Sequence, residues 1–313
     1  MKNYKIYFLL AMLSILIISC GDNSKNVLTN DSQLPITDTN WVKVAENLDF
    51  PEGPAWDVSS KSIFLSNCYG GWISKVSENV HDTFLVASDK PLSFEKTNGM
   101  TIHNESLFAC EYGNGEILKI SKEGQIEVYA DGYNGEKFNR PNDLAFDKNG
   151  NLYFTDPKSY GVDKPDGRIF RRDNKTGDIT LLQDSLTFPN GIAFSEDGSN
   201  LYVCESAQNR ILKFGVHSDG TIKNKSVFVI LSGGDPDGIA FDKKGNLYAA
   251  HFGTGSLFVI NPSGKIIQKI KTPGQKPTNV EFGGVDLKTI YLTEVETNSL
   301  YKINANIPGL KLN

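Results

Sequence analysis

The sequence predicts an all-β fold, a six-bladed β-propeller whose blades each contain four strands. A short pattern recurs six times, with its starts 41 to 48 residues apart. Each copy pairs two runs of β-branched and aromatic residues across a turn rich in Asp, Asn, Lys and Gly, which is typical of a β-hairpin. No amphipathic helix of ten residues is evident after residue 40, so the repeat indicates propeller blades. The copies begin at Glu52, Asn98, Asn142, Asn190, Asp237 and Thr278.

Composition limits the kinds of partner. The 313 residues are 39% hydrophobic and 22% charged, an ordinary mixture for a globular protein. There are 32 basic and 37 acidic residues, which gives a net charge of −5 without a long basic run. Because nucleic-acid binding requires a clustered positive surface, no nucleic-acid partner is expected.

The first 40 residues are predicted to be an export signal and a tether. The apolar run Ile6–Ile18 follows two lysines and is too short to span a membrane comfortably. The residues IISC that end at Cys20 resemble the bacterial lipobox, in which cleavage precedes the cysteine and its thiol is lipidated. A plain signal peptide with an incidental cysteine is the alternative. We expect a signal peptide at 1–19, a flexible tether at 20–40 and an exported lipoprotein that is anchored to the membrane through Cys20.

The remaining elements follow from the repeat. Each hairpin is followed by two more strand-like runs, for example Ile117–Ile120 or Leu257–Ile260, which completes four strands per blade. The last repeat, from Thr278 onward, is about one strand short. Residues 41–51 precede the first repeat and could supply that strand, which would close the ring without a long exposed edge. The propeller is therefore predicted to span 41–313.

Equivalent positions of successive blades form rings around the central channel of a propeller. The first residues of the six repeats form one such ring, in which every member is polar and both charged members, Glu52 and Asp237, are acidic. Two carboxylates and two amide oxygens suit one hard divalent cation, best Ca²⁺, with Mg²⁺, Mn²⁺ or Zn²⁺ as alternatives and zinc the least favoured. The competing interpretation is turn chemistry, in which these Asn and Asp side chains only bond neighbouring backbone.

A second polar ring is predicted where the second strand of each blade returns to the same face. Its members are Asn67, Glu111, Asp156, Glu205, His251 and Glu294. Of the four histidines, only His251 is expected on this face, and His81, His103 and His217 are expected on the surface.

Several chemistries lack their residues. Cys68, Cys110 and Cys204 can form at most one disulfide, and no CxxC pair or Cys/His cluster has zinc-site spacing. The chain also lacks G-x-S-x-G, H-E-x-x-H and P-loop motifs. With a single channel histidine, the sequence argues against a Ser-His-Asp hydrolase.

Six short motifs occur in order along the chain: FPEGPAW around Glu52, TNGM around Asn98, RPNDLAFDKNGNLYFTDP from Arg140, FPNGIAFSEDG around Asn190, DPDGIAFDKKGNLY around Asp237 and TNVEFGG near Asn279. Together they resemble the senescence marker protein/gluconolactonase/luciferin-regenerating enzyme family, which includes regucalcin and sugar lactonases. The resemblance covers about residues 45–303. It implies a six-bladed propeller with a divalent metal in the channel and, commonly, lactone hydrolysis.

The resemblance also implies metal ligands. Glu52, Asn190 and Asp237 look like ligands, and Asn142 looks like a fourth ligand or a substrate contact. These are four of the ring positions that the repeat brings together. Asp143 is expected behind the ligands rather than among them.

Substrate contacts are implied in the same way. Arg140 resembles the family's substrate-binding arginine, with a surface salt bridge as the alternative, and Asn98 is a further candidate contact. Relatives of the paraoxonase and fluorophosphatase type use a channel histidine, where this chain has Thr278 and Asn279, which argues against phosphotriesterase activity. The segment after Asp156 is expected to form a lid over the metal face.

The leading functional hypothesis is metal-dependent hydrolysis of a small lactone, with a sugar lactone as the expected type. Asp237 would be the general base, with Glu111 and Glu205 raising its basicity. Ester or phosphotriester hydrolysis on the same metal is one alternative, and a non-catalytic, ligand-binding propeller lipoprotein is another. No obligate protein partner is expected.

Overall fold

The computed structural model describes residues 34–78, 80–88 and 93–311, and it confirms the predicted architecture. Six antiparallel sheets of four strands each follow one another along the chain as the blades of a propeller. The described residues contain one helical element, a 3-10 turn at Ser206–Gln208. No helix in these ranges is long and apolar enough to cross a membrane.

The first strand of each blade lies innermost, where it contacts the first strands of the neighbouring blades. Blade 1 consists of β2 (Pro51–Asp57), β3 (Ser62–Asn67), β4 (Trp72–Val76) and β5 (His81–Val86). Blade 2 consists of β6 (Thr97–His103), β7 (Ser106–Glu111), β8 (Glu116–Ile120) and β9 (Ile126–Ala130). Blade 3 consists of β10 (Leu144–Phe146), β11 (Leu152–Asp156), β12 (Gly167–Arg172) and β13 (Ile179–Leu186). Blades 4 and 5 consist of β14 (Pro189–Phe194), β15 (Asn200–Glu205), β16 (Arg210–Val216) and β17 (Ile222–Ile230), then β18 (Asp235–Phe241), β19 (Leu247–Phe252), β20 (Ser256–Ile260) and β21 (Ile266–Lys271).

Blade 6 is built from both ends of the chain, as predicted. It combines β22 (Pro277–Gly283), β23 (Thr289–Glu294) and β24 (Ser299–Asn304) with β1 (Val42–Ala45). Strand β1 pairs antiparallel with β24 and covers its outer edge. This pairing gives blade 6 its fourth strand and joins the N-terminal strand to the last blade, which closes the ring.

Apolar clusters fill the six spaces between neighbouring blades. Between blades 2 and 3, for example, Phe108, Phe154 and Phe170 are buried against aliphatic side chains. The second strands supply much of this core, and β11 is buried along its whole length. Because both faces of each sheet are covered, the strands carry near-continuous apolar runs rather than strict alternation.

Five of the six inner strands begin with a register shift, such as the one between Glu52 and Ala55 in blade 1. A β-bulge of this kind re-aims side chains at the end of a strand. Glycine follows the first repeat residue in four blades. A Cβ at Gly53 would overlap the backbone of Asn98 and Gly99 in the next blade, and one at Gly191 would overlap the backbone at Asp237. Glycine therefore lets neighbouring inner strands approach closely at this end of the channel.

The packed chain begins earlier than the boundary predicted at residue 41. Ile36 is 1% exposed in the cluster between blades 5 and 6. Its backbone is held by Gln268, whose side chain accepts from the Ile36 N–H at 3.0 Å and donates to the Ile36 carbonyl at 2.7 Å. The predicted tether is thus docked from residue 34 onward, because Leu34, Pro35 and Ile36 interrupt an otherwise polar stretch. The predicted signal peptide, Cys20 and the rest of the tether lie outside the described residues.

Substitution of Ile36 tests this docking. Ile36→Ala should lower the free energy of unfolding by about 2–5 kcal/mol, because it leaves a cavity between blades 5 and 6. Val42→Ala in β1, where Val42 is 53% exposed, is the matched control and should change stability by about 0.5 kcal/mol or less. Denaturant unfolding measures both, and equal effects would contradict the packing described for residues 34–40.

Candidate metal centre

The first residues of the repeats meet at one end of the channel, as the repeat predicts. Glu52, Asn190 and Asp237 are buried there, whereas Asn98 and Asn142 are partly exposed. The sixth member differs: Thr278 is fully buried and its hydroxyl contacts the Pro51 carbonyl and the Thr293 hydroxyl, both at 2.8 Å. The Thr278 side chain therefore connects blade 6 to blade 1 and does not face the centre of the channel.

Three buried carboxylates share this end of the channel. Burial, together with the charge of Asp143, raises the pKa of Glu52 to about 8. Burial also raises the pKa of Asp143 to about 7. The pKa of Asp237 lies well above its usual range because the group is buried and because the charges of Glu52, Asp235 and Asp143 oppose its ionisation. The Asn190 amide donates to Asp237 and partly offsets this effect.

The carboxylates lack a cationic partner within the protein. Among residues 34–78, 80–88 and 93–311, no lysine, arginine or histidine forms an ion pair with Glu52, Asp143 or Asp237. The Asn98 and Asn142 amides likewise make no side-chain hydrogen bond to described residues. This contradicts the turn-chemistry interpretation for those two amides, and it leaves acidic and amide oxygens available to a ligand.

The donor set fits a hard divalent cation. Its members are the carboxylates of Glu52 and Asp237 and the amide oxygens of Asn142 and Asn190, which are ligands of the type that Ca²⁺ prefers. Searched over the described chain, no group of three or more His, Cys, Asp or Glu side chains is arranged to hold a metal. A cation at this place would therefore depend on the amides as well as on the two acids.

Asp143 and Asn279 occupy space that glycines leave open, and sequence reasoning assigned no role to Asn279. A Cβ at Gly99 would overlap the Asp143 carboxylate, and one at Gly238 would overlap the Asn279 amide. The Asp143 carboxylate accepts from the N–H groups of Leu144 at 2.9 Å and Ile192 at 3.3 Å. Asp143 is thus held by two backbone donors close enough to Glu52 and Asp237 for its charge to act on both. The signal for both residues is the position after each repeat start, which is glycine in the other four blades.

Asn279 connects the last blade to the first. Its Nδ2 lies 3.5 Å from Glu52 Oε2, and its Oδ1 accepts from the Val280 N–H at 2.8 Å. Glu52 Oε2 also accepts from the Gly53 N–H at 3.1 Å. The Glu52 carboxylate is thus oriented by two donors on one oxygen, which leaves the other free.

A deeper ring contains one unexpected carboxylate. The third residue after each repeat start is small in five blades, namely Ala55, Thr101, Ala145, Ala193 and Ala240, and is Glu281 in the sixth. The Glu281 Oε1 accepts from the Phe282 N–H at 2.6 Å. Burial and the charge of Asp143 raise the pKa of Glu281 to about 8. No sequence motif had drawn attention to this position.

The side chains of the second polar ring stabilise the backbone. All six members are buried, and five of them accept backbone N–H groups from the segments that enter their own blades. Glu111 accepts from Glu95 and Lys96, and Glu205 accepts from Thr187 at 2.9 Å and pairs with Arg210. The prediction that Glu111 and Glu205 raise the basicity of Asp237 is therefore wrong, because the charges acting on Asp237 are those of Glu52, Asp235 and Asp143.

His251, His103 and the three described cysteines are buried in the core of the protein. His251 is fully buried and its Nε2 lies 2.8 Å from the Leu231 carbonyl. His103, which was expected on the surface, is buried and stacks on Phe146 with ring centroids 4.0 Å apart. Cys68, Cys110 and Cys204 are buried and free.

Arg140 is exposed and lies two residues before the repeat start Asn142, at the mouth of the channel end where the inner strands begin. Its guanidinium lies over the rings of Tyr112 and Phe188, at 5.6 and 5.9 Å from their centroids, and its Nη1 lies 3.5 Å from the Lys158 carbonyl. In the part of the chain that the structure describes, Arg140 forms no salt bridge with a carboxylate. Its exposed donors are therefore available to a bound molecule.

The segment after Asp156 extends over the tops of blades 4 and 5. The Tyr160 hydroxyl lies 2.9–3.0 Å from both carboxylate oxygens of Asp235, and its ring packs edge-on against Phe188 at 5.4 Å. Gln208 reaches the Val162 carbonyl at 3.5 Å. This placement agrees with the predicted lid, and it bounds the mouth on the side next to Arg140.

Comparison with known proteins identifies the family. The family described as the SMP-30/Gluconolactonase/LRE-like region matches residues 50–296. The chain belongs to this family, which confirms the resemblance carried by the repeat motifs. The match includes every strand of the propeller except β1 and β24, the two outer strands of blade 6.

Individual relatives and structures agree with the assignment. A gluconolactonase of Zymomonas mobilis is 30% identical over 272 residues, which cover 77% of this chain and 75% of that protein. A diisopropyl-fluorophosphatase of Loligo vulgaris is 25% identical over 305 residues, covering 89% and 96%. The solved structure of a Xanthomonas campestris gluconolactonase superposes with a TM-score of 0.77 at 25% identity, covering 87% of this chain and 91% of that one.

Gly238→Ala tests the close packing around Asn279. The new methyl group would displace the Asn279 amide from its place beside Glu52, so the free energy of unfolding should fall by about 1–3 kcal/mol. Gly215→Ala is the matched control, because a Cβ there meets its nearest atom at 3.7 Å. Thermal unfolding of the two variants checks the prediction, and an unaffected Gly238→Ala protein would contradict it.

The pH dependence of stability in Glu281→Gln tests the shifted pKa of this partly exposed carboxyl group. The pKa of Glu281 is about 8 in the folded chain, above the usual 4.5, so the folded protein retains a proton that the unfolded chain has lost. This residue therefore costs stability increasingly as pH rises from about 4.5 to about 8. The glutamine variant should match the parent near pH 4 and exceed it by about 1–3 kcal/mol near pH 9. Denaturant unfolding at both pH values decides, and a constant difference would refute the shifted pKa.

Proposed function

We propose that this member of the SMP-30/Gluconolactonase/LRE-like family is a divalent-metal-dependent hydrolase that opens a small lactone ring, with a sugar lactone as substrate. The observation that carries the proposal is that Glu52, Asn190 and Asp237 are buried at the end of the channel where the repeat also places Asn142, and that no basic side chain of the described residues pairs with the two acids. The similarity to a gluconolactonase of Zymomonas mobilis, at 30% identity, supports the reaction class.

The cation would be held by the four converging residues. Ca²⁺ suits the all-oxygen donor set best. When bound, it would supply Lewis acidity toward the lactone carbonyl and a place for the attacking water. The two carboxylates would balance its charge, and the amides of Asn142 and Asn190 would add oxygen atoms without adding charge.

Asp237 would act as the general base. It is buried, receives one hydrogen bond from Asn190, and has a pKa well above its usual range in the absence of a cation. Asp237 would take a proton from the attacking water as the new C–O bond forms, and would return it to the ring oxygen as the C–O bond of the lactone breaks. One lactone and one water thereby give one hydroxy acid.

Arg140, Asn98 and Asn142 would orient the substrate. The Arg140 guanidinium and the Asn98 amide are accessible and have no carboxylate partner in the described chain. A polyhydroxylated ring offers several acceptors and donors to such groups. Tyr112 and Phe188 would provide flat apolar surfaces on either side of the guanidinium.

A second candidate is hydrolysis of an activated ester or phosphotriester at the same place. The similarity to a diisopropyl-fluorophosphatase over 305 residues favours it. Against it, the last blade presents Thr278, which is committed to Pro51 and Thr293, and Asn279, which lies beside Glu52. Neither residue can act as a channel base.

We also propose that the protein is exported and attached to a membrane through Cys20. The proposal rests on the lipobox-like residues that end at Cys20 and on the polar segment that separates Cys20 from residue 34. The chain enters the fold beside Asn306, whose N–H donates to the Pro35 carbonyl at 2.8 Å. This entry point is at the hairpin-turn end of blade 6, away from the metal face.

Lactone hydrolysis by protein lacking residues 1–20 tests the function. Initial rates on sugar lactones, aliphatic lactones and an aryl phosphotriester should show turnover of the sugar lactones that disappears with a chelator and returns with Ca²⁺. Asp237→Asn should lower the rate by about 10²–10⁴-fold, because it removes the base. Asp219→Asn, an exposed turn residue that accepts from Thr221, is the control and should leave the rate unchanged.

Two results would contradict the proposal. Turnover that persists in the chelated protein would contradict the metal requirement. An Asp237→Asn variant that keeps a tenth of the parental rate would contradict the role of Asp237 as general base. A folded protein that binds Ca²⁺ without turning over any lactone would instead indicate a ligand-binding propeller.

A further inference from the structure

A second cavity opens on the face opposite the metal centre. It has a volume of about 390 Å³ and runs into the channel from the hairpin-turn end of the inner strands. Its walls are largely apolar, with Ile192, Ile239 and Val280 deep in the channel and Phe194, Phe241 and Phe282 nearer the opening. Cavities of this size that combine apolar walls with placed polar and charged groups are typical ligand sites. The mechanism proposed above uses none of these residues.

Glu281 is the feature of this cavity that packing does not explain. At its level the other five blades carry alanine or threonine, so a single carboxylate projects among small side chains. It accepts one backbone N–H, and across the described ranges no basic side chain pairs with it. Asp143 lies at the inner end of the cavity. A cationic group beside these two acids would favour their ionised forms and pair with them.

The opening of the cavity has the opposite character. Lys148, Lys243 and Lys311 lie at its rim, and none forms a salt bridge with another described residue. The rim carboxylates are Glu196, which is exposed, and Asp147, which accepts the N–H groups of its own turn. The charge of Lys148 also acts on Asp197, so that Lys243 and Lys311 supply most of the available positive charge. The rim therefore favours an anionic group.

The C-terminal segment fixes the shape of this opening. The Leu310 N–H donates to the Phe241 carbonyl at 3.0 Å, and the Pro308 carbonyl accepts from Lys243 at 2.9 Å. A Cβ at Gly309 would overlap the Phe282 ring, so the segment packs directly on the wall of the cavity. Leu310 and Lys311 are thereby held in the lining.

We propose that this cavity binds an ω-amino acid or similar zwitterion, with its ammonium group at Glu281, its apolar chain against the Ile and Phe side chains, and its carboxylate at the rim lysines. The level of Glu281 corresponds to Ala145 in blade 3, which is three residues from Lys148. At about 3.3 Å per residue the two charged zones are roughly 10 Å apart. An extended chain of about six to eight carbons, with bonds of about 1.5 Å, spans that distance.

Isothermal titration calorimetry on the folded protein tests the site. The probes are 6-aminohexanoate, 8-aminooctanoate, hexylamine and hexanoate. The amino acids should bind with one site per chain, hexylamine more weakly, and hexanoate weakest. Glu281→Ala should weaken amino-acid binding by about tenfold to hundredfold, because it removes a charged hydrogen-bond partner.

Matched variants keep the test interpretable. Glu281→Ala introduces the residue that four other blades carry at this level, and Glu281→Gln is a second variant that keeps the side-chain shape. Glu127→Ala removes an exposed carboxylate on the outer strand β9 and should leave binding unchanged. Lactone hydrolysis should persist in both Glu281 variants, so that failure of this site is distinguishable from failure of the proposed function.

Four outcomes would overturn the proposal. They are binding of hexanoate as tight as that of the amino acids, equal binding by the parent and both Glu281 variants, no binding of any probe at millimolar concentration, and displacement of the probes by Ca²⁺ at a site lost in Glu281→Ala. The last result would identify an inorganic cation as the occupant.

Discussion

Six inner strands must approach one another closely around a single axis, and the rest of the structure depends on this constraint. Glycine after the repeat start relieves it in four blades, because a side chain at Gly53 or Gly191 would overlap the next strand. At Gly99 and Gly238 the space is filled instead by Asp143 and Asn279 from the neighbouring blade. The same packing that closes the ring therefore delivers a third carboxylate and an amide to the polar end of the channel. The residue after each repeat start thus determines both the close packing of the inner strands and the polar groups at this end of the channel.

The two polar rings at this end have different functions, although both are rich in carboxylates. The inner ring is formed by the first residues of the six repeats, and the outer ring is the second polar ring, at the ends of the second strands. The outer ring satisfies backbone N–H groups of the segments that enter each blade, as Glu294 does for Lys276 and Thr297. In the inner ring Glu52 accepts a single backbone N–H, that of Gly53. Burial and the charges of neighbouring acids raise the pKa values of Glu52 and Asp237. A buried acid that accepts several N–H groups stabilises the backbone around it, whereas buried acids that raise one another's pKa values are typical of a functional site.

The repeat alone was sufficient to predict the number of blades and the closing strand β1, because equivalent positions of successive blades occupy equivalent places in a propeller. The assignment of Glu52, Asn142, Asn190 and Asp237 as metal ligands stays a prediction. The repeat could not predict which way a side chain turns at the end of a strand, so Glu111 and Glu205 were wrongly placed beside Asp237. Asn279 and Glu281 were missed because their signal is a departure from the other blades. Ile36 was missed because three apolar residues in a polar segment have no periodicity.

The central claim is that the inner ring holds one divalent cation, and calorimetric titration of Ca²⁺ into chelator-treated protein tests it most directly. The account predicts one Ca²⁺ per chain, lost in Glu52→Gln and in Asp237→Asn. Glu294→Gln, which alters an equally buried acid of the outer ring, should retain the site. Failure of the parent to bind Ca²⁺, or equal binding by all four proteins, would contradict the claim.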